Sequence, residues 1–231
     1  METRMARAVS DAVVNSRHPR LDFRTEEARE ATKWLSKVKG YIPQGAKLLD
    51  IGCSSGKHTF AAEELGAVAT GIDCSPEAIK LAREIAQDID SGAQFVMGDF
   101  TSLPFDADTF DVALFSLNIV ECTYEEMMLL AQGLQVILRD NGMLLLTMYD
   151  DLHDLLSGRR QPPGDYHLPS GKRLGNVTVP VDGKESKTFE YHTCFWTVAF
   201  AIHVIGQHFS FDHLEEIKEG HYLLVFRKES G

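Results

Sequence analysis

Short apolar runs alternate with segments of helical periodicity along the first two thirds of the chain. The runs are nearly continuous in apolar residues, which is typical of strands buried on both faces of a sheet. Strands separated by helices predict an α/β fold with a doubly wound, mostly parallel sheet. The predicted strands are Leu48–Ile51, Ala67–Asp73, Gln94–Gly98, Phe110–Ser116 and Met143–Tyr149.

Helix start signals lie between these strands. Ser75 is a good N-cap, and Pro76 takes the first helical position, where no amide hydrogen is needed. Thr123 and Glu126 have the spacing of a capping box. The predicted helices run from Thr25 to about residue 39, over Lys57–Leu65, from Ser75 to about Ile89, and from Thr123 to about Leu138.

Residues 151–194 interrupt the alternation with many Pro and Gly residues. Within them, Asn176–Val181 and Thr188–His192 have the period of short strands. We interpret this segment as a small inserted cap over the ligand-binding edge of the sheet. A structural hairpin that only pads the sheet is the alternative.

A helix and a hairpin follow the insertion. Thr197 begins a helix that extends to about Ile205, and two strands separated by Glu219-Gly220 form a C-terminal antiparallel hairpin, Phe209–Ile217 and His221–Arg227. The sequence therefore predicts a single domain over residues 1–231, with its core at 25–150 and 195–229 and the insertion at 151–194.

Composition excludes several classes of function. The 231 residues carry a net charge of −11, which disfavours a nucleic-acid partner. No apolar run is long enough to span a membrane, and the first residues lack the apolar core of a secretory signal, so a cytoplasmic location is expected. Four Cys and nine His residues show no metal-ligand spacing, which predicts reduced thiols and no bound metal.

An acidic residue lies at or next to the end of each of the first three predicted strands: Asp50, Asp73 and Asp99. The first of them leads into the loop Gly52–Gly56 and then a helix, a combination that forms a cradle for a nucleotide-like ligand. A carboxylate at Asp73 can accept hydrogen bonds from both ribose hydroxyls. The alternative is that these acids are helix caps or turn residues.

Five ordered motifs together resemble the class I S-adenosylmethionine-dependent methyltransferases of the small-molecule type. They lie within Leu49–Gly56, Gly71–Pro76, Gly98–Phe105, Phe110–Glu121 and Leu138–Leu146. The resemblance implies a Rossmann-like, seven-stranded sheet and S-adenosylmethionine as the cofactor. It also implies that Asp99 accepts from the adenine amino group and that Asp50 and Gly52 lie near the methionine part. The expected cofactor-binding residues are Asp50, Gly52, Cys53, Ser55, Gly56, Asp73, Cys74, Asp99, Phe100 and Ser116.

Ser54 departs from the family, which has glycine in the middle of the first motif. A side chain there obstructs the close backbone approach that a dinucleotide pyrophosphate needs. The departure therefore disfavours an NAD-dependent oxidoreductase, one of two alternatives. The other is a catalytically silent S-adenosylmethionine-binding protein.

The acceptor is expected to be a small molecule methylated at oxygen or nitrogen. The segment after the fourth strand, Ser116–Ile119, lacks the proline-rich motif with which methylases hold planar amines, and the acidic metal-binding set of catechol-type enzymes is absent. Cys122 stands where relatives often have a histidine. Methyl transfer needs a base only when the nucleophile must lose a proton. The candidate bases are His167, Tyr191 and His192, and each has the alternative of an ordinary surface or packing residue.

Overall fold

The structure is a computed structural model that describes residues 11, 21–119, 122–150 and 196–230, with the backbone of residues 172–181 and 185–194. The chain divides into two compact units. The first contains residues 1–100 and 176–191, and the second contains residues 101–175 and 192–231. The single domain with an insertion at 151–194 stays a prediction.

The seven strands of the main sheet are β1 Lys47–Ile51, β2 Val68–Asp73, β3 Gln94–Met97, β4 Phe110–Ser116, β5 Leu138–Tyr149, β8 Ser210–Lys218 and β9 His221–Arg227. Their order is β3-β2-β1-β4-β5-β9-β8. The pairs β1–β2, β2–β3 and β4–β5 are parallel, whereas β9 is antiparallel to β5 and β8. The predicted α/β fold, with a mostly parallel seven-stranded sheet and a C-terminal hairpin, is confirmed.

Two further strands, β6 Lys172–Val181 and β7 Glu185–Cys194, pair with each other in a separate sheet. They confirm the two strands predicted within the insertion, and both are longer than predicted. The α-helices among the described residues are α1 Glu26–Thr32, α2 Lys57–Glu64, α3 Pro76–Asp88, α4 Tyr124–Ile137 and α5 Val198–Ile205.

The predicted first helix is divided in the structure. α1 ends at Thr32, and residues Lys33–Tyr41 continue as a 3-10 helix. The Thr32 hydroxyl donates to the Arg29 carbonyl at 2.9 Å, and the Ser36 hydroxyl donates to the Lys33 carbonyl at 2.7 Å. Side-chain hydroxyls that bond back to helix carbonyls bend helices. This competition explains why the apolar periodicity did not produce one continuous α-helix.

The core of the first unit surrounds β1. Leu48, Leu49 and Ile51 are fully buried, and each contributes about 1.5–3 kcal/mol of burial free energy. The ring of Phe60 on α2 packs at 5.4 Å from Phe23 and at 5.2 Å from Phe95 of β3, measured between centroids. These aromatic contacts fix α2 and the loop that precedes it against the strands.

The second unit has two of the predicted caps. Thr123 accepts from the Glu126 N–H at 3.2 Å, and Glu126 accepts from the Thr123 N–H at 2.8 Å, which confirms the capping box. Thr197 likewise accepts from the Phe200 N–H at 3.1 Å at the start of α5. The buried Trp196 indole donates to the Cys122 carbonyl at 2.9 Å.

The fifth strand begins earlier than predicted. Leu138 already pairs with Phe110, and the register then shifts so that Val112 pairs with Met143. The intervening residues include Asn141 at φ 62°, a left-handed conformation that Asn tolerates. The predicted Asn141-Gly142 turn is therefore an irregularity inside β5 and does not precede it.

Candidate functional site

The loop between β1 and α2 is the centre of the candidate site. Gly52, Ser54 and Gly56 all have left-handed backbone conformations, with φ of 68°, 50° and 86°. The N–H groups of Gly52 and Cys53 both donate to the Ile72 carbonyl, at 2.8 and 3.0 Å. The loop therefore turns sharply while its first residues stay attached to β2.

Asp73, the last residue of β2, joins this loop to the start of α3. One carboxylate oxygen accepts from the Ser54 N–H at 2.8 Å, and the other accepts from the Ser75 N–H at 2.8 Å. Burial raises the pKa of the Asp73 carboxyl, while the N–H groups of Ser75 and Ser54 oppose that rise. A carboxylate has about four acceptor sites, so the backbone hydrogen bonds from Ser54, Ser75 and Cys74 leave capacity for a ligand hydroxyl.

Asp99 follows the end of β3 beside Asp73. The Gly98 N–H donates to the Asp73 carbonyl at 3.0 Å, which continues the pairing of β2 and β3 past Met97. Asp99 and Phe100 are half-buried. The structure thus brings together two of the three predicted acids at neighbouring strand ends, with an aromatic residue next to them.

Asp50 is the third acid, and it is only 1% exposed. Its carboxylate accepts a hydrogen bond from the Thr59 hydroxyl of α2 at 2.7 Å. Burial raises the pKa of the Asp50 carboxyl to about 7. Within the described residues, no Lys, Arg or His nitrogen forms an ion pair with it. A cationic ligand group is therefore a suitable neighbour for this carboxylate.

Two predicted loop residues have clear packing roles. A Cβ at Gly56 would lie 2.6 Å from the Phe95 ring, so only glycine fits. Cys53 is buried, and its Sγ would lie 2.7 Å from a Cβ at Gly71. Burial and the nearby Asp50 and Asp73 carboxylates raise the pKa of the Cys53 thiol, which stays protonated and unreactive.

Residues of the N-terminal segment contact the loop and the start of α3. The fully buried Ser55 donates its hydroxyl to the Leu21 carbonyl, and Ser75 donates its hydroxyl to the Asp11 carboxylate. Ser75 also accepts from the Ala78 N–H at 3.0 Å, which confirms it as the predicted N-cap of α3. Cys74, between Asp73 and this cap, is half-buried.

Ser116 belongs to the second unit, where it ends β4. Its hydroxyl lies 3.0 Å from the Thr147 hydroxyl, and Leu117 follows it in a left-handed conformation with φ of 62°. A left-handed conformation is costly for a leucine. The Leu117 N–H donates to the Thr147 carbonyl at 2.9 Å, which holds this strained exit from β4 in place.

The side chains of the three candidate bases lie outside the described part of the structure. His167 lies outside the described residues, and Tyr191 and His192 lie in β7, of which only the backbone is described. Their catalytic role stays a prediction. Among the described residues, no group of three or more His, Cys, Asp or Glu side chains could hold a metal ion.

Sequence reasoning missed two features. Thr59 supplies the hydroxyl that bonds Asp50, although nothing in its local pattern marks it. In the second unit, His221 stacks on Tyr149 with ring centroids 4.8 Å apart, at the carboxyl end of β5. Burial, followed by the nearby Lys218 charge, lowers the pKa of His221 to about 4, so this imidazole is neutral at pH 7.

The family model described as "Methyltransferase domain" matches residues 48–142, which include the loop and all three acids. A solved S-adenosylmethionine-dependent methyltransferase from Methanosarcina mazei superposes with a TM-score of 0.69 at 22% identity, covering 84% of this chain and 98% of that one. The chain therefore contains a methyltransferase domain over residues 48–142, and its fold is that of the methyltransferase from Methanosarcina mazei.

Two curated methyltransferases are similar over part of their length. The cypemycin N-terminal methyltransferase of a Streptomyces species is 32% identical over 119 residues, covering 51% of this chain and 46% of the relative. The erythromycin 3''-O-methyltransferase of Saccharopolyspora erythraea is 29% identical over 159 residues, covering 67% of this chain and 51% of the relative. This chain thus spans about half the length of the curated relatives that it matches.

The left-handed conformation of Ser54 allows a simple test of the loop. We expect Ser54→Gly to retain the affinity for S-adenosylmethionine within about threefold, because the N–H that bonds Asp73 remains and glycine adopts this conformation without strain. Isothermal titration calorimetry on both proteins measures the ratio. A loss of binding in a folded Ser54→Gly variant would make the serine side chain a specific ligand contact.

No helix in the described part of the protein is both long and apolar enough to cross a bilayer.

Proposed function

We propose that this protein transfers a methyl group from S-adenosylmethionine to an oxygen or nitrogen atom of a small-molecule acceptor. The observation that supports this most is the grouping of Asp50, Asp73 and Asp99 at the ends of β1 and β2 and just after β3, around one glycine-containing loop. A single acid at a strand end is an ordinary cap or turn residue, whereas three around one loop match the parts of this cofactor.

Each acid has a proposed partner in the cofactor. Asp73 accepts from the ribose hydroxyls with the lone pairs that its backbone N–H bonds leave. Asp99 accepts from the adenine amino group, beside the half-buried Phe100. Asp50 and the Gly52 backbone lie near the methionine part. The remaining proposed cofactor-binding residues are Cys53, Ser55, Gly56, Cys74 and Ser116.

The residues present fit the cofactor because its positive charge complements a buried carboxylate that has no cationic partner among the described residues. The cofactor supplies an electrophilic methyl group when it is bound. The chain's own residues then bind and orient it and exclude water, and alignment alone accounts for a large share of the rate enhancement in such displacements. His167, Tyr191 and His192 remain the proposed bases for an acceptor that must lose a proton.

The proposed acceptor atom is either oxygen or nitrogen. The two curated relatives are named for an N-terminal and a 3''-O acceptor, so methyl transfer to either atom is consistent with the similarity. We propose that residues 151–194 cover the acceptor and determine which molecule is methylated. Lids of this kind exclude water and complete a catalytic site.

Calorimetric titration with S-adenosylmethionine, S-adenosylhomocysteine and NAD tests the cofactor. We expect both adenosyl compounds to bind and NAD to fail, because the Ser54 side chain occupies the place where a pyrophosphate must approach the backbone. Turnover of S-adenosylmethionine on a panel of hydroxylated and amino metabolites tests the reaction. Preferential binding of NAD would refute the proposal, and binding without any turnover would favour a silent cofactor-binding protein.

A further inference from the structure

Asp50 is a carboxylate enclosed by protein. It is 1% exposed, and the fully buried Thr59 of α2 supplies its hydrogen bond. The described residues offer it no ion pair. An isolated carboxylate charge in such surroundings is costly, so a buried carboxyl group either keeps a proton or faces a positive charge.

The charged groups around Asp50 do not supply that compensation. Asp73 of β2 adds a like charge, and the Cys53 thiol in the adjoining loop is protonated. The charge of Lys57, at the start of α2, opposes the rise in the pKa of Asp50, but its effect ranks after those of burial, the Thr59 hydroxyl and Asp73. Burial, opposed first by the Thr59 hydroxyl, sets the pKa of Asp50 at about 7.

We propose that Asp50 holds a proton in the free protein and releases it when S-adenosylmethionine binds, so that this carboxyl group favours the cationic methyl donor over its neutral product. The inference rests on the proposed function. S-adenosylmethionine carries a sulfonium charge that S-adenosylhomocysteine lacks, whereas the remaining charged groups of the two molecules are the same. The O–H bond of the Asp50 carboxyl breaks, its electron pair stays on the carboxylate, and the proton passes to the buffer.

Binding of S-adenosylmethionine and ionisation of Asp50 favour each other. A ligand that favours the ionised carboxyl must bind more tightly as the pH rises towards and past the pKa of about 7. After methyl transfer the sulfonium charge is gone, so Asp50 takes up a proton again and the product is held less strongly. Asp50 thereby acts as a residue that discriminates donor from product.

Calorimetry at pH 7 in two buffers of different ionisation enthalpy measures the proton release. We expect about half a proton per bound S-adenosylmethionine, because a group with a pKa of about 7 is half protonated at that pH. Affinity for S-adenosylmethionine should rise about fivefold from pH 6 to pH 7, and that for S-adenosylhomocysteine less than about twofold. Equal proton release with the two ligands, or none with S-adenosylmethionine, would overturn the inference.

Three variants assign the effect to Asp50. Asp50→Asn keeps an oxygen that accepts from Thr59, and it should abolish both the proton release and the pH dependence. Thr59→Val removes a hydrogen bond to the ionised carboxylate, which raises the pKa of Asp50. The change of affinity with pH should therefore occur at a higher pH. Thr59→Ser retains the hydroxyl and serves as the matched control. Unchanged proton release in Asp50→Asn would assign the proton to another group and refute the proposal.

Stability without ligand is an independent measurement. Because the pKa of Asp50 is raised on folding, its contribution to stability is fully present below its ordinary value of 3.8 and is lost as the pH rises through about 7. Wild type should therefore lose stability relative to Asp50→Asn between about pH 4 and pH 7, measured by urea unfolding. Parallel pH profiles would show that Asp50 holds no proton.

If neither adenosyl compound binds, both the proposed function and this inference fail, whereas binding without proton release refutes the inference alone.

Discussion

Replacement of Asp73 by Asn is expected to weaken the binding of S-adenosylmethionine by about ten- to a hundredfold. Removal of a charged hydrogen-bond acceptor costs about 1.5–3 kcal/mol, and each 1.4 kcal/mol is a factor of ten in affinity. Asn has one acceptor oxygen in place of two, so it cannot serve the ribose hydroxyls and both backbone N–H groups. The expected weakening should be equal for S-adenosylhomocysteine, because the two molecules share the ribose.

The structure adds a second effect of this substitution. Asp73 accepts from the N–H groups of Ser54 and Ser75, so the Asn variant also loosens the loop that it joins to α3. We therefore expect a loss of folding stability of about 1–3 kcal/mol in the absence of ligand. Asp106→Asn, which changes an exposed acid of the second unit, is the matched control and should alter neither quantity. Unchanged affinity in folded Asp73→Asn would remove Asp73 from the cofactor site.

Replacement of Gly56 by Ala is expected to destabilise the protein by about 2–5 kcal/mol. Gly56 has φ of 86°, where a side chain costs about 1–2 kcal/mol. The added Cβ would also lie 2.6 Å from Phe95 and 3.0 Å from Phe60, and overpacking of this kind costs about 1–3 kcal/mol. The midpoint of urea unfolding, with the slope of the transition held constant, measures the sum.

A second glycine provides the control for this prediction. Gly40 lies in the 3-10 helix with no atom within 4 Å of an added Cβ, so Gly40→Ala should change the stability by less than about 1 kcal/mol. The double variant Gly56→Ala with Phe95→Leu should lose less stability than the two single changes added together, because the clash with the ring is removed. Strictly additive effects would show that the backbone conformation alone determines the need for glycine.

Local elements could be predicted from the sequence because their determinants lie within a few residues of each other. Ser75 caps α3 by a bond to Ala78, and Thr123 forms its capping box with Glu126. Where local signals compete, the prediction is less accurate. The helix predicted from Thr25 onwards is divided at Thr32 by a hydroxyl bond, and β5 begins at Leu138 since strand pairing extends past the Asn141-Gly142 irregularity.

One of the three acids has the contacts that the alternative interpretation, a turn residue, predicts. Asp73 does bond two N–H groups of adjoining turns, yet its carboxylate keeps further acceptor sites. Such bonds between the loop and a distant strand end cannot be derived from sequence spacing. The tertiary structure therefore adds an organising role for Asp73 to the role in ligand binding that the sequence predicts.

The sequence by itself determined the α/β class, the mostly parallel sheet and the placing of three acids at strand ends, because these follow from periodicity and from the common direction of parallel strands. Only the tertiary structure decided that Thr59 bonds Asp50, that the Phe95 ring lies against Gly56, and that His221 stacks on Tyr149. These pairs are brought together by helix packing and strand register. Helix packing and strand register depend on burial summed over many core residues. A local sequence pattern therefore does not predict these pairs.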